Sequence, residues 1–258
     1  MTGWTTDGFL GGRLQITQPE KGFRAGSDAV LLAASLDLAP GQSVLDVGCG
    51  VGTAGLCARY REPGIRLWGL ELQESLAVQA RENARANGLE RDVTILSVDI
   101  ADRKAFKGIE GPSGRAFLND GFDHVLSNPP FYEEGRAQKS PNAIKSLAHV
   151  EGDVDLSAWI AFCAARARPR GRVTIIHRAS RLATILREME KTCGSLQVLP
   201  LWPGVGAAAK RVIVRGIKGD RGPLTLLPGL VLHHPDGRPT DEAEKILRHG
   251  AGIDPAAH

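Results

Sequence analysis

Three acidic residues and a run of glycines stand where they could hold a small ligand carrying a cationic ammonium, a ribose and an amino-bearing ring. The run Asp46-Val47-Gly48-Cys49-Gly50-Val51-Gly52-Thr53 follows a short apolar stretch, SVLDV, and precedes a helical one, TAGLCARYR. Glycines at alternate positions let a backbone turn tightly and approach a ligand without Cβ clashes. The helix that follows offers free N–H groups and a positive dipole end to an anion. A nicotinamide-binding loop has the spacing G-x-G-x-x-G; here Gly52 comes one residue early. The acid ahead of the loop, Asp46, is also the wrong chemistry for a pyrophosphate and suits an ammonium beside a carboxylate, as in a methionine moiety. Glu71, with Leu72 after it, ends the next strand, from which a carboxylate can accept from both ribose hydroxyls. Asp99, followed by Ile100, ends the third strand and can accept from an adenine amino group.

In order and spacing these features resemble class I S-adenosylmethionine methyltransferases across roughly residues 41 to 217. The resemblance implies S-adenosylmethionine as cofactor, held by Asp46, Gly48, Cys49, Gly50, Gly52, Glu71, Leu72, Asp99, Ile100 and Asn128. A second motif, Asn128-Pro129-Pro130-Phe131-Tyr132, closes the fourth strand. It resembles the [DNS]-P-P-[YFW] motif of enzymes that methylate planar amino nitrogens: adenine N6, guanine N2 or the glutamine amide. An exocyclic amine is a poor nucleophile because its lone pair is delocalised into the ring. The Asn128 side-chain oxygen and the Pro129 carbonyl can accept both its N–H bonds, aim the lone pair at a sulfonium methyl and stabilise the developing charge. Pro129 and Pro130 stiffen the backbone, and Phe131 can stack on the ring. The expected catalytic set is Asn128, Pro129, Pro130 and Phe131, with no metal required.

These residues must be placed by a scaffold of strands alternating with helices. The pattern predicts strands at 43–47, 65–72, 93–100, 122–127, 171–177 and two closing ones, LQVLPLW and KRVIVRGI, with helices between. Such alternation implies right-handed crossovers and a mostly parallel sheet. The expected fold is α/β: a Rossmann-like class I methyltransferase with a seven-stranded, mostly parallel sheet and helices on both faces. An N-terminal arm and helix (1–40) precede the methyltransferase domain (41–220), and a C-terminal hairpin and helix (221–258) follow it. The stretch 101–120, polar and glycine-rich, reads as a loop or insertion.

The N-terminal segments Gly12-Arg13-Leu14 and Gly26-Ser27-Asp28-Ala29-Val30-Leu31-Leu32, with Lys210-Arg211-Val212, resemble the bacterial adenine-N6 methyltransferases that modify the anticodon loop of valine tRNA. This implies an RNA partner. Many members carry Tyr after the two prolines, whereas this chain has Phe131 then Tyr132, and Phe is also common in guanine-N2 enzymes. Adenine in tRNA is the leading reading; an rRNA guanine-N2 or protein-glutamine enzyme, and a non-catalytic cofactor-binding RNA protein, are the alternatives. Between Leu156 and Lys218 lie a dozen Lys and Arg and only two carboxylates, a distribution that can attract a polyanion. Tyr132, Lys139, Lys145, His149, Lys210 and Arg211 are candidate substrate contacts, and 133–150 reads as a lid.

The whole chain has 258 residues, 42% of them hydrophobic, and a formal charge of +3, which suits one large α/β domain with additions. Its four cysteines form no C-x-x-C pair, so zinc is not suggested and scattered thiols fit a reducing compartment. No secretory signal is visible and no apolar run approaches the ~20 residues of a membrane span. The expectation is a soluble cytoplasmic protein, monomer or dimer.

Overall fold

The computed structural model describes residues 3–22, 24–130 and 152–253. The chain opens with an antiparallel hairpin, β1 (Trp4–Phe9) and β2 (Leu14–Pro19). Leu14 and Ile16 alternate with outward residues, so one face of β2 can join a core. Helix α1 (Ser27–Ala34) is apolar from Ala29 onward and buried over that length. It packs between α2 (Thr53–Arg61) and α6 (Asp241–His249).

The central elements are β3 (Ser43–Val47), α2, β4 (Arg66–Glu71), α3 (Glu74–Ala86), β5 (Val93–Ser97), β6 (Phe122–Ser127), α4 (Gly152–Arg166), β7 (Ala167–Arg178), α5 (Leu182–Met189), β8 (Cys193–Gly204) and β9 (Arg211–Lys218). Two short strands follow, β10 (Thr225–Leu226) and β11 (Leu230–His233). The sheet order is β10-β8-β9-β7-β6-β3-β4-β5, with β11 also on β8. All pairings are parallel except the two made by β9. The seven expected strands run side by side from β8 to β5, and β10 and β11 extend the sheet beyond β8 to nine strands.

Both faces of the sheet are covered, which is why its strands read as nearly continuous apolar runs. Successive residues serve opposite cores. Val44, Leu126, Ile176 and Ile213 pack with α1 and α2, whereas Leu45, Val125, Ile175 and Val214 pack with α4 and α5. The strand order reverses at β3, which has β4 on one side and β6 on the other. A crevice therefore opens at the carboxyl ends of β3 and β6, where ligands of open α/β sheets bind.

Three expectations are refined. The expected C-terminal hairpin is confined to a tight turn at 232–240, where His233 bridges Pro239 in antiparallel fashion; β10 and β11 before it run in the same direction along the free edge of β8. Pro228-Gly229 interrupts the strand instead of reversing it, because the Trp202 indole N–H donates to Pro228 O at 3.0 Å and holds that break against β8. The stretch 101–120 is more than a polar loop. It contains two 3-10 turns, Arg103–Phe106 and Phe117–Asn119, whose Phe106 and Phe117 are buried and stack at 5.0 Å. The third strand ends at Ser97, so Asp99 lies beyond it. Among the described residues, no helix is long and apolar enough to cross a membrane.

Candidate active site

The glycine loop is built by left-handed turns. Gly48, Gly50 and Gly52 have φ of 73°, 57° and 87°, a region where side chains are strained. The N–H groups of Gly48 and Cys49 both donate to Leu70 O, at 2.8 and 2.9 Å, which folds the loop across the end of β4. A Cβ on Gly48 would sit 2.6 Å from the Trp159 ring, whereas one on Gly50 would meet nothing within 4 Å. The loop is therefore closed toward α4 at Gly48 and open at Gly50. The thiol of Cys49 belongs to the core, packed with Ala77, Ala80 and Ile95.

Asp46 is 3% exposed, and its Oδ2 accepts the Gly55 N–H at 2.9 Å. The expected free N–H groups at the start of α2 are thus partly taken by the protein's own carboxylate. Burial raises the Asp46 carboxyl from 3.8 to about 7; the Gly55 N–H opposes the rise and the Glu71 charge adds to it. Glu71 is also buried, its two oxygens accepting from Gly50 N and Gln73 N at 2.9 Å each. Asp99 is half-buried and accepts from Ala101 N at 2.8 Å. All three accept from backbone N–H groups, and none has a Lys or Arg partner among the described residues.

This crevice fits S-adenosylmethionine by its own geometry. A cationic ligand would supply the counter-charge that Asp46 and Glu71 lack, and each carboxylate oxygen keeps a second lone pair for a hydroxyl or amine. Gly50 leaves space for close approach. Leu72 is largely exposed beside Glu71, and Ile100 packs half-buried behind Asp99.

Asn128 and Pro129 follow β6 directly, on the same carboxyl edge. The Asn128 Oδ1 is buried and has no hydrogen-bond partner among the described residues. An unpaired buried amide oxygen is costly, and here it is an acceptor without a donor. Pro129 is buried and Pro130 exposed. Phe131, Tyr132, Lys139, Lys145 and His149, and the expected lid, lie outside the described residues.

Two groups that the sequence did not single out fix the crevice. The Ser127 hydroxyl donates to Val47 O at 2.7 Å and accepts the Trp159 indole N–H at 2.8 Å. The last residue of β6 is thereby bolted to the last residue of β3, so the Asn128 motif and the glycine loop share one anchor. Asn83, on α3, donates to Val51 O at 2.9 Å inside the glycine loop. It also exchanges two 3.0 Å bonds with Thr17 of β2. No local pattern marks these residues, because their partners lie 32 to 80 positions away.

The structure joins two of the N- and C-terminal segments singled out by resemblance. The Arg211 Nε donates to Asp28 Oδ2 at 2.9 Å, linking the start of β9 to the first turn of α1. Lys210, just before it, is exposed and uses its carbonyl to accept Ala179 N at 3.1 Å.

Comparison with known proteins agrees with this geometry. A family model described as the methyltransferase small domain matches residues 21–150. A protein of Porphyromonas gingivalis named tRNA1(Val) (adenine(37)-N6)-methyltransferase is 32% identical over 181 residues, covering 69% of this chain and 67% of its own. One of the same name from Actinobacillus succinogenes is 25% identical and covers 82% and 84%. Among solved structures, a protein of Agrobacterium tumefaciens described as a predicted O-methyltransferase superposes with a TM-score of 0.70 at 24% identity, over 88% of this chain and 98% of that one; the likeness is one of fold. With its glycine loop, its two buried acids and its sheet order, the chain belongs to the methyltransferase small domain family and is an S-adenosylmethionine-dependent methyltransferase.

Proposed function

We propose that this enzyme methylates N6 of an adenine in tRNA, with residues 41–220 as the methyl-transfer unit and the two terminal segments packed on it. The observation that carries the reading is the buried Oδ1 of Asn128 beside Pro129, unpartnered among the described residues. Relatives named as adenine-N6 enzymes of tRNA1(Val) supply the substrate class. A tRNA substrate also puts the reaction in the cytoplasm.

When bound, S-adenosylmethionine supplies an electrophilic methyl on a sulfonium. Asp46 and Glu71 hold the cationic and ribose parts, and Asp99 accepts from the adenine. Asn128 Oδ1 and the Pro129 carbonyl accept the two N–H bonds of the acceptor amine. That orients its lone pair along the line of transfer and supports the charge gained as the N–C bond forms. Phe131 provides a face for the target base. A single-stranded loop spares the enzyme the work of extruding a base from a duplex.

The test is incubation with methyl-labelled cofactor and bulk tRNA, followed by digestion to nucleosides and mass spectrometry. N6-methyladenosine is the expected product. Label confined to N2-methylguanosine would overturn the adenine assignment, and label in protein but not RNA would overturn the substrate class.

A further inference from the structure

On the sheet face that carries α1, the side chains of four neighbouring strands change character halfway along. Toward the carboxyl edge of β6 and β7, Leu126, Ile176, Ile213 and Leu199 are apolar and join the core beneath the helix. Two residues nearer the amino edge, on the same face, stand His124, Thr174, Arg215 and Gln197. Thr174 lies opposite Arg215, and Arg215 opposite Gln197. Helix α1 ends at Ala34, and beyond its end this polar row borders a cavity of about 620 Å³. The row is not an open, solvated sheet face, since His124 is 2% and Thr174 1% exposed.

The cavity carries an excess of positive charge. Three guanidiniums line it, those of Arg61, Arg172 and Arg215, against the single carboxylate of Asp37. Arg172 donates to Asp37 Oδ2 at 2.9 Å, but the two side chains are 42% and 75% exposed, so water screens the pair. Among the described residues the other two arginines bond only neutral oxygens. Arg215 donates to Ser35 O and Gln197 Oε1 at 2.7 Å each, and Arg61 to Ala33 O and to Gly250 O. The carbonyls of Ala33 and Ser35 belong to the end of α1, which contributes about half a negative charge, so the walls keep about +1.5. Hydrogen bonds to neutral oxygens satisfy donors without supplying a counter-ion, and a partly buried cation without one is costly.

His124 adds an acceptor. Its Nε2 lies 3.1 Å from Gln42 Oε1, an oxygen that already accepts Ala39 N, so Nε2 is the donor and Nδ1 carries the lone pair. Nδ1 is buried and has no partner among the described residues. A ligand for this cavity therefore has an anionic group and a hydroxyl. A phosphate monoester carries about −1.5 to −2 at neutral pH, which matches the charge of the walls. The volume lies within the range of small-molecule sites, about 300–1,000 Å³, and leaves space for an organic body beside the phosphate.

We propose that this cavity is a second ligand site, for a small phosphate monoester bearing sugar hydroxyls. The guanidiniums take the phosphate and His124 accepts from a hydroxyl. The site is separate from methyl transfer, because His124 stands four residues, about 13 Å, down β6 from Asn128. It does not depend on the RNA reading above.

The test is calorimetric titration of the full chain, with S-adenosylhomocysteine saturating the catalytic crevice. The probes are ribose 5-phosphate, uridine 5′-monophosphate, inorganic phosphate and ribose. Both monoesters are expected to bind, inorganic phosphate more weakly and ribose not measurably. Arg215→Gln is expected to weaken the monoesters tenfold or more, the loss expected for one charged hydrogen bond. Arg172→Gln, at a more exposed position, is expected to do the same while leaving thermal melting and cofactor affinity unchanged. If neither monoester binds, the proposal falls. If they bind equally well to both variants, they sit elsewhere and it falls too. Equal affinity for inorganic phosphate would remove the sugar from the recognised ligand and overturn the stated class. Displacement of the bound monoester by bulk tRNA would assign these cations to the RNA backbone and end the small-ligand reading.

Discussion

The indole N–H of Trp159 donates to the Ser127 hydroxyl at 2.8 Å, and the same hydroxyl donates to Val47 O. Through this pair, α4 clamps the junction between cofactor loop and catalytic strand, and the Trp159 ring closes the space over Gly48. Ser127→Ala strands the indole N–H and the Val47 carbonyl, and a lost buried partner costs about 1–3 kcal/mol. Urea unfolding should show a loss of that size. Combining it with Trp159→Phe should return part of the loss, because both partners are then absent. A double variant that is simply additive would show that the two groups act independently.

Asn128→Ala should leave cofactor affinity near normal and reduce kcat by about 10²-fold or more, in line with removal of a single positioned hydrogen-bonding group at a reacting centre. Calorimetry with cofactor alone and single-turnover methylation separate the two effects. Unchanged turnover would remove Asn128 from the chemistry.

Asp46 gives stability an unusual pH dependence. Because burial lifts its carboxyl from 3.8 to about 7, the folded protein holds this proton more tightly than the unfolded chain. Asp46 therefore makes stability fall as pH rises through that window. His124 and His177 act in the opposite sense. Burial holds both near 4 against an ordinary 6.5, so stability is lost as pH falls from about 6.5 to about 4. Comparing wild type with Asp46→Asn by urea unfolding isolates the carboxyl. The gap should widen in favour of the variant by up to about 1.4 kcal/mol per pH unit between pH 4 and 7. A constant gap would mean that Asp46 ionises normally.

The Asp28–Arg211 pair is partly buried, with side chains 24% and 31% exposed. A double-mutant cycle with Asp28→Asn and Arg211→Gln should give a coupling of about 0.5–1 kcal/mol in thermal unfolding, as for pairs still open to solvent. Zero coupling would show that the pair contributes nothing to holding α1 on β9.

Much of the scaffold was legible in the sequence because strands covered on both faces must be apolar throughout, as SVLDV is, and because Asp46 and the three glycines sit at a forced turn. The bounds of α2 and β6 follow from the same logic. Contacts made between distant side chains were not legible. Ser127 looks like any strand-end serine until Trp159 arrives from α4, and Asn83 looks like a helix-surface polar residue until the hairpin docks on it. Phe106 and Phe117 were hidden in a stretch rich in Gly and charge, where local composition outvoted two buried rings. The two short strands of the C-terminal segment were not legible for a related reason: nothing local marks the free edge of β8 on which they pair.

The docking of the hairpin on α3 has one further consequence. Along the outer edge of β2, the main-chain N–H and C=O of Gln15 are met by the Asn87 side-chain amide at 2.8 and 2.7 Å, and those of Thr17 by Asn83. Two asparagines one helical turn apart thus imitate an adjoining strand. An open edge of this kind is a template on which another chain can add a strand and begin to aggregate; here that template is already occupied by side chains. Because the same Asn83 amide also grips the glycine loop, slow hydrogen exchange at the Thr17 amide becomes a reporter of how firmly the cofactor loop is held.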